Sequence, residues 1–416
     1  MSGIFDNRKK MKGRFSFLLF APMLILGACD LSVTLPGETP ADALDDPSAA
    51  PLLTVSAQGA FECAYTQYAL LSGLVSGEFM GSQTFLGQVP YQRRDVRPLD
   101  ASFATSGCGS STSLHTPLAQ ARFIADDAIV RISGFSDGEV PNRSSLLARN
   151  ALYAGYSYTT FGEGWCSAAF DLGPELQPAE VFELARERFS MALESPDAEI
   201  RNAAYVGRAR AQMNLGQTAG ALADARAVPE GFEFLVTRST AADVRENKVF
   251  NRNHVEQAVS VDPAFWDLEW AGMPDPRVNV MDAEILGQDG LTPMWLQQKY
   301  TSRDAAIRLA SYTEARLIIA EVEGGATAVG IINELLEAAG LPGNFASSNA
   351  QEIQEQVQEQ RRRELFVEGH RMGVLRRLGA ITRFTSGSHP YVGDAYGGME
   401  CFPLPDTERN GNPNIT

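Results

Sequence analysis

The residues best placed to do chemistry lie in one run near the C-terminus, Glu359-Gln360-Arg361-Arg362-Arg363-Glu364-Leu365-Phe366-Val367-Glu368-Gly369-His370-Arg371. Carboxylates, guanidinium groups and an imidazole at this density could bind an anion or move a proton. The spacing points to structure instead. Glu364 and Glu368 are four apart, and Glu368 is three from Arg371, which suits ion pairing along a helix face. Leu365, Phe366 and Met372 supply an apolar side. The run is read as a core helix whose charges pair with one another and with loop backbone. His370 is read as a packed or hydrogen-bonded residue rather than a catalyst.

Other chemical signals are weaker. Gly134-Phe135-Ser136-Asp137-Gly138 matches the nucleophile-elbow pattern, but that turn needs a strand before it and a helix immediately after it. Here an amphipathic helix precedes it, and the next begins only after Pro141-Asn142, so it reads as a helix–helix turn. His115, His254, His370 and His389 are scattered, with no i,i+4 pair and no zinc or metalloprotease signature. There is neither a Walker loop nor a dinucleotide fingerprint. No metal or cofactor is expected. Acids are too abundant for their spacing to identify a glycosidase pair. No nucleophile emerges, and the chain is read as a binding protein rather than an enzyme. Trp266 and Trp270, within Phe265-Trp266-Asp267-Leu268-Glu269-Trp270, would share one face of a helical turn. Flat aromatic faces stack on sugar C–H groups, and adjacent carboxylates accept hydroxyl hydrogen bonds. Those two residues are the candidate ligand contacts; the competing reading is that they pack in the core.

The N-terminus bears on where such binding would occur. Arg8, Lys9, Lys10, Lys12 and Arg14 form a positive stretch before Phe15 to Leu26. That apolar run is too short to span a membrane, which takes about twenty residues, and has the length of a signal-peptide core. It ends in Leu26-Gly27-Ala28-Cys29. Small residues before a cysteine suit a lipoprotein peptidase, so 1–28 is read as a signal peptide and Cys29 as the lipid attachment site. The chain beyond it carries a formal charge of −20 at pH 7, which argues against nucleic acid as a partner. No later stretch has eighteen consecutive apolar residues. Cys63, Cys108, Cys166 and Cys401 follow the anchor, none in a CxxC. Four cysteines in an exported chain favour two disulfides, with three connectivities open.

Residues 29–52 are rich in Pro, Asp and Ala and read as the anchor and a flexible tether. The body, 53–416, reads as one mostly α-helical domain. Its N-terminal helices are expected over Leu53 to Leu74, Thr116 to Ile132, Leu146 to Phe161 and Pro178 to Leu193, with a Gly/Ser loop at Ser106 to Ser113. Ala203 to Ala211, then Asn214-Leu215-Gly216, Ala219 to Ala227 and Pro229, give the two short helices and turn of a tetratricopeptide unit. Tyr312 to Glu323, Gly324-Gly325 and Ala328 to Ala339 repeat the pattern. Each such hairpin has an apolar face that only a stacked neighbour can bury. Between these blocks 230–300 is irregular, 301–380 returns to helix pairs, and 381–416 is a loop-like tail. One last long helix is expected from Asn349 to Leu378.

Several of these marks, in this order, resemble the SusD/RagB outer-membrane lipoproteins. They are the lipobox followed by Asp30-Leu31-Ser32-Val33-Thr34, then Pro274-Asp275-Pro276-Arg277-Val278 with Gln298-Lys299-Tyr300. Ala315 to Glu321 with Ile332-Asn333 and Gly340-Leu341-Pro342 come next. The Glu359 to Arg371 run with Leu375-Arg376-Arg377 is the most specific, and the tail adds Pro403-Leu404-Pro405 and Asn412-Pro413-Asn414-Ile415. The resemblance implies a SusD-like fold, with tetratricopeptide-like helix pairs under irregular, loop-rich insertions. It implies a surface lipoprotein of the outer membrane that binds a nutrient, an oligosaccharide or a peptide. Its partner would be a TonB-dependent, SusC-like transporter. A tetratricopeptide scaffold that holds another protein is the alternative. Trp295 falls in a run resembling that family's packed strand and is set aside as a ligand contact. The disulfides expected are Cys63–Cys108, closing a loop over the Gly/Ser segment, and Cys166–Cys401, clamping the proline-rich tail to the helical body.

Overall fold

Helix caps divide this chain clearly. Ser311 Oγ accepts the Glu314 amide at 3.1 Å and starts the helix Tyr312–Glu323, which stops at Gly324 with φ +61°. Asn349 Oδ1 accepts the amides of Gln351 and Glu352 at 2.9 and 3.2 Å and starts Ala350–Glu364. Asp197 does the same for Ala198–Asn214 through Glu199 N at 2.9 Å. Each cap satisfies donors that the first helical turn leaves bare. The structure, a computed structural model, describes residues 41–105, 107–109 and 112–415. The expected signal peptide and Cys29 lie outside the described residues.

Among the described residues the helices of seven residues or more are α1 (Ala50–Val75), α2 (His115–Ser133), α3 (Arg143–Gly164), α4 (Pro178–Ala192), α5 (Ala198–Asn214), α6 (Thr218–Ala227), α7 (Tyr312–Glu323), α8 (Gly325–Ala338), α9 (Ala350–Glu364) and α10 (Arg371–Arg377). From α1 to α8 each packs on the next, and α9 closes on α7 and α8. This is the mostly α, helix-pair fold read from the sequence. No described helix is long and apolar enough to cross a membrane.

Small residues set the spacing. Phe189 of α4 is fully buried, stacked edge-on to Tyr156 of α3 at 4.9 Å between centroids. Gly155 of α3 and Gly207 of α5 flank its ring; a Cβ at Gly155 would sit 2.8 Å from it. Any larger residue there would push two helices apart, and overpacked cores lose stability.

Residues 230–300 contribute strands to four short two-stranded antiparallel ladders, two of them completed by strands outside that stretch. β1 (Phe79–Gly81) pairs with β3 (Val259–Val261), and β2 (Glu233–Val236) with β8 (Ile307–Ser311). β4 (Glu269–Trp270) pairs with β5 (Met273–Pro274), and β6 (Val280–Leu286) with β7 (Pro293–Gln297). The stretch 41–49, read as tether, forms two 3-10 turns, and Leu44 and Ala50 pack with Leu53, Ala128, Ile132 and Val140.

The expected single helix from Asn349 to Leu378 is broken. α9 ends at Glu364, a turn follows with Val367 at φ +54° and Gly369 at φ +88°, and α10 starts at Arg371. The cause is competition for backbone groups. Glu78 Oε1 takes the Val367 amide at 2.9 Å, Tyr65 OH donates to Glu368 O at 2.7 Å, and Lys299 and Arg308 donate to Glu364 O. With those groups satisfied from elsewhere, continuing the helix is not required.

Cys63 on α1 is bonded to Cys108, and Cys166, just past α3, to Cys401, with Cα separations of 6.2 and 5.1 Å. Around the second bridge Cys166 N donates to Phe402 O and Phe402 N to Gly164 O, and Phe402 packs on the buried Trp165. The tail is thereby held against the end of α3.

Candidate functional site

The break after α9 opens a cleft. It has a volume of about 740 Å³ and runs between α9, α10 and residues 380–384, with Glu78 at its floor. Pockets that hold small ligands are roughly 300–1,000 Å³. Leu365, Val374, Leu375 and Phe384 give it apolar walls, while arginines and carboxylates supply the polar groups.

Most of the charged run beside the cleft is internally paired, though not along one helix face. Arg361 and Arg377 bond Glu321 of α7; Arg362 and Arg363 bond Glu359. Arg277 bridges Asp275 and Glu364, and Arg363 also reaches Asp275 at 2.9 Å. Glu368 is held by Lys299 at 2.6 Å and Arg308 at 2.9 Å. Glu368 therefore does not partner Arg371 as its spacing implied. Burial pushes the carboxyl of Glu321 up, but Arg361 and Arg377 outweigh it and hold it below the usual range. The structural reading fits these residues.

Arg371 differs. Its Nε donates to Ser76 O at 2.9 Å, and its guanidinium lies over the rings of Phe384 (4.5 Å) and Phe265 (5.3 Å). Among the described residues it has no carboxylate within ion-pair distance. Burial lowers its pKa to about 10, so it stays charged at neutral pH. Arg383, on the rim, is exposed and also lacks an ion pair among the described residues. Glu78 is 1% exposed; burial pushes its carboxyl up to about 7 although Arg371 pulls it down, and its Oε2 has no hydrogen-bond partner. Gln358 Oε1 and His370 Nε2, both lining the cleft, are unpartnered as well. Burial, then the surrounding cations, hold His370 well below its usual pKa, so the ring is neutral.

The sequence-derived candidates lie elsewhere. No helical turn carries Trp266 and Trp270 together. Trp266 follows a short 3-10 turn, stacks on Trp295 at 4.3 Å and donates Nε1 to Val261 O; Trp270 lies in β4 and donates to Pro342 O. Asp267, with φ +48°, turns the chain between them. Both indoles are half-buried, and neither is among the residues that line the cleft. Ser136 lies in an α2–α3 turn, its Oγ donating to Glu139. His254 and His389 bond Gln297 O and Gly81 O, and His115 packs among Phe103, Phe161 and Trp165. No three His, Cys, Asp or Glu residues among those described are placed to hold a metal. Sequence reading missed Glu78 and Arg383, and took Arg371 as the ion-pair partner of Glu368.

Stacked helix pairs with small ladders and a mixed-polarity cleft define a helical-repeat fold. Residues 297–416 match the model of the SusD family, and no curated protein matches the chain. Solved structures share the fold. A SusD superfamily protein from Bacteroides vulgatus superposes with a TM-score of 0.70 at 15% identity, over 89% of this chain and 98% of that one. One from Parabacteroides distasonis gives 0.67 at 15% identity, over 89% and 98%. A laminarin-binding SusD-like protein gives 0.63 at 14% identity, over 87% and 98%. Residues 297–416 of this chain are therefore similar to the SusD family, and the described residues share the fold of these solved structures.

Proposed function

We propose that the protein is a lipid-anchored receptor of the outer-membrane surface that binds a glycan and passes it to a TonB-dependent, SusC-like transporter. The match of residues 297–416 to the SusD family on a SusD-like fold carries this reading. Two structural neighbours support the ligand class: one is a laminarin-binding SusD-like protein, another a SusD-like carbohydrate-binding protein from Bacteroides vulgatus. In this account the protein binds and does not transform its ligand, and it needs no cofactor. Trp266 and Trp270 are proposed as sugar contacts on the irregular side of the body. Two half-buried indoles on different turns would touch separate rings of a chain rather than sandwich one.

The anchor is Cys29, after the basic stretch, the short apolar core and Leu26-Gly27-Ala28. A single change tests it. Cys29→Ala should move the protein from the membrane fraction to the soluble fraction of fractionated cells. Flotation of Cys29→Ala with membranes at high salt would overturn the assignment.

A further inference from the structure

We propose that the cleft between α9 and α10 is a subsite for a carboxylate-bearing saccharide, with Arg371 as the residue that takes the carboxylate. This rests on the glycan-binding reading and specifies its ligand class.

The argument starts from groups the fold leaves unsatisfied. A cation this buried is costly unless paired. Arg371 is nonetheless fixed in place, by Ser76 O on Nε and by two phenylalanine rings. A guanidinium so held offers its two terminal nitrogens as a planar fork, which matches a carboxylate better than any neutral group. Arg383 adds a second cation at the rim. Glu78 shares the floor but stays outside ion-pair distance, and with a pKa near 7 it neutralises Arg371 only in part.

The same cleft holds orphan acceptors. Glu78 Oε2, fully buried, and Gln358 Oε1 accept nothing from the protein. Buried polar groups are almost always hydrogen-bonded, so exceptions need an account. Acceptors call for donors, and a donor-rich molecule that also carries a carboxylate is a uronic-acid saccharide. Its ring C–H faces would lie on Phe384, Val374 and Leu375. A peptide C-terminus also brings a carboxylate, but it has fewer hydroxyl donors for Glu78 and Gln358.

The test is calorimetric titration of the whole lipoprotein in detergent micelles. The probes are trimers of galacturonate, glucuronate and mannuronate, their neutral counterparts galactotriose, cellotriose and mannotriose, and trialanine. At least one uronate trimer should bind more than ten-fold tighter than its neutral counterpart. Arg371→Met should weaken that binding ten-fold or more. Arg371 is part-buried and its loss could disturb folding, so the exposed Arg383→Ala is the control. It should weaken binding several-fold with an unchanged circular dichroism spectrum and melting temperature. Equal binding of a neutral trimer, preference for trialanine, or uronate binding indifferent to both substitutions would overturn the cleft assignment and leave the glycan reading standing. No binding of any saccharide, in this panel or a wider glycan array, would overturn both.

Discussion

Replacing Glu314 with alanine should lower the unfolding free energy by about 3–5 kcal/mol, the cost of leaving one member of a buried ion pair alone. Glu314 at the first turn of α7 and Arg210 on α5 are 2% and 7% exposed. They meet in two hydrogen bonds of 2.7 Å, and Arg210 also donates to Leu309 O of β8 at 2.7 Å. Burial disfavours the Arg210 charge, but Glu314 and then Glu163 more than restore it, so the guanidinium stays ionised in the core. Without Glu314 the charge remains and its main counter-ion is gone. The pair ties a helix of one hairpin to the first helix of another, so its loss should loosen the stack between them. Guanidinium unfolding followed by circular dichroism gives the number. The double variant Arg210→Met/Glu314→Leu should recover much of the loss, since an apolar pair of similar size removes both charges. A change below about 1 kcal/mol in Glu314→Ala would contradict this description of the core.

The second large effect is the loss, from neutral to alkaline pH, of the stability that two buried carboxyls supply. Burial pushes Glu78 and Glu163 up to about 7 from an ordinary 4.5. Arg371 partly offsets the rise at Glu78, and Arg210 at Glu163. A raised carboxyl means that the folded state holds the proton more tightly than the unfolded state. Its contribution is full below about pH 4.5 and is lost as pH rises through 7. The four histidines act oppositely: burial depresses His115, His254, His370 and His389, and their contribution fades as pH falls through 6.5. Between pH 6.5 and 8.5 the two carboxyls are isolated by a variant that lacks only them, in which the histidine part is unchanged. Over that window they should cost about 1 kcal/mol each, because one pKa unit corresponds to roughly 1.4 kcal/mol. Glu78→Gln/Glu163→Gln should remove that loss and turn the slope upward relative to wild type over the same range. A slope unchanged in the double variant would contradict the burial assigned to these groups.

How far the sequence could be read depended on whether the determining contacts were local. α7 was legible to the residue, because Ser311 and Gly324 bracket an apolar face within a dozen positions. The pairs α5–α6 and α7–α8 were legible for the same reason. The break after Glu364 was not, since it depends on Glu78, 289 residues away, taking the Val367 amide. The short ladders of 230–300 escaped as well. β2 reaches its partner β8 only after about seventy intervening residues, and two-residue strands leave no alternating pattern. For Trp266 and Trp270 the four-residue spacing was real, but Asp267 takes a left-handed conformation that no helix contains. The cleft was hidden because its parts are scattered and its key cation looked paired. Glu368 stands at helical distance from Arg371 in sequence, yet Lys299 and Arg308 claim it in space.

Association with a transporter is the central claim, and it has a direct measurement. The lipoprotein, purified by an affinity tag from cell envelopes dissolved in mild detergent, should bring with it a TonB-dependent barrel in near-equal amount, identified by mass spectrometry. A stable complex of this kind buries more than about 1,200 Å² and should survive the wash. Strains lacking the lipoprotein should take up the cognate glycan more slowly. Recovery of the lipoprotein alone, together with undiminished uptake in the deletion strain, would contradict the transport account and favour a scaffold that holds another protein on its helix pairs.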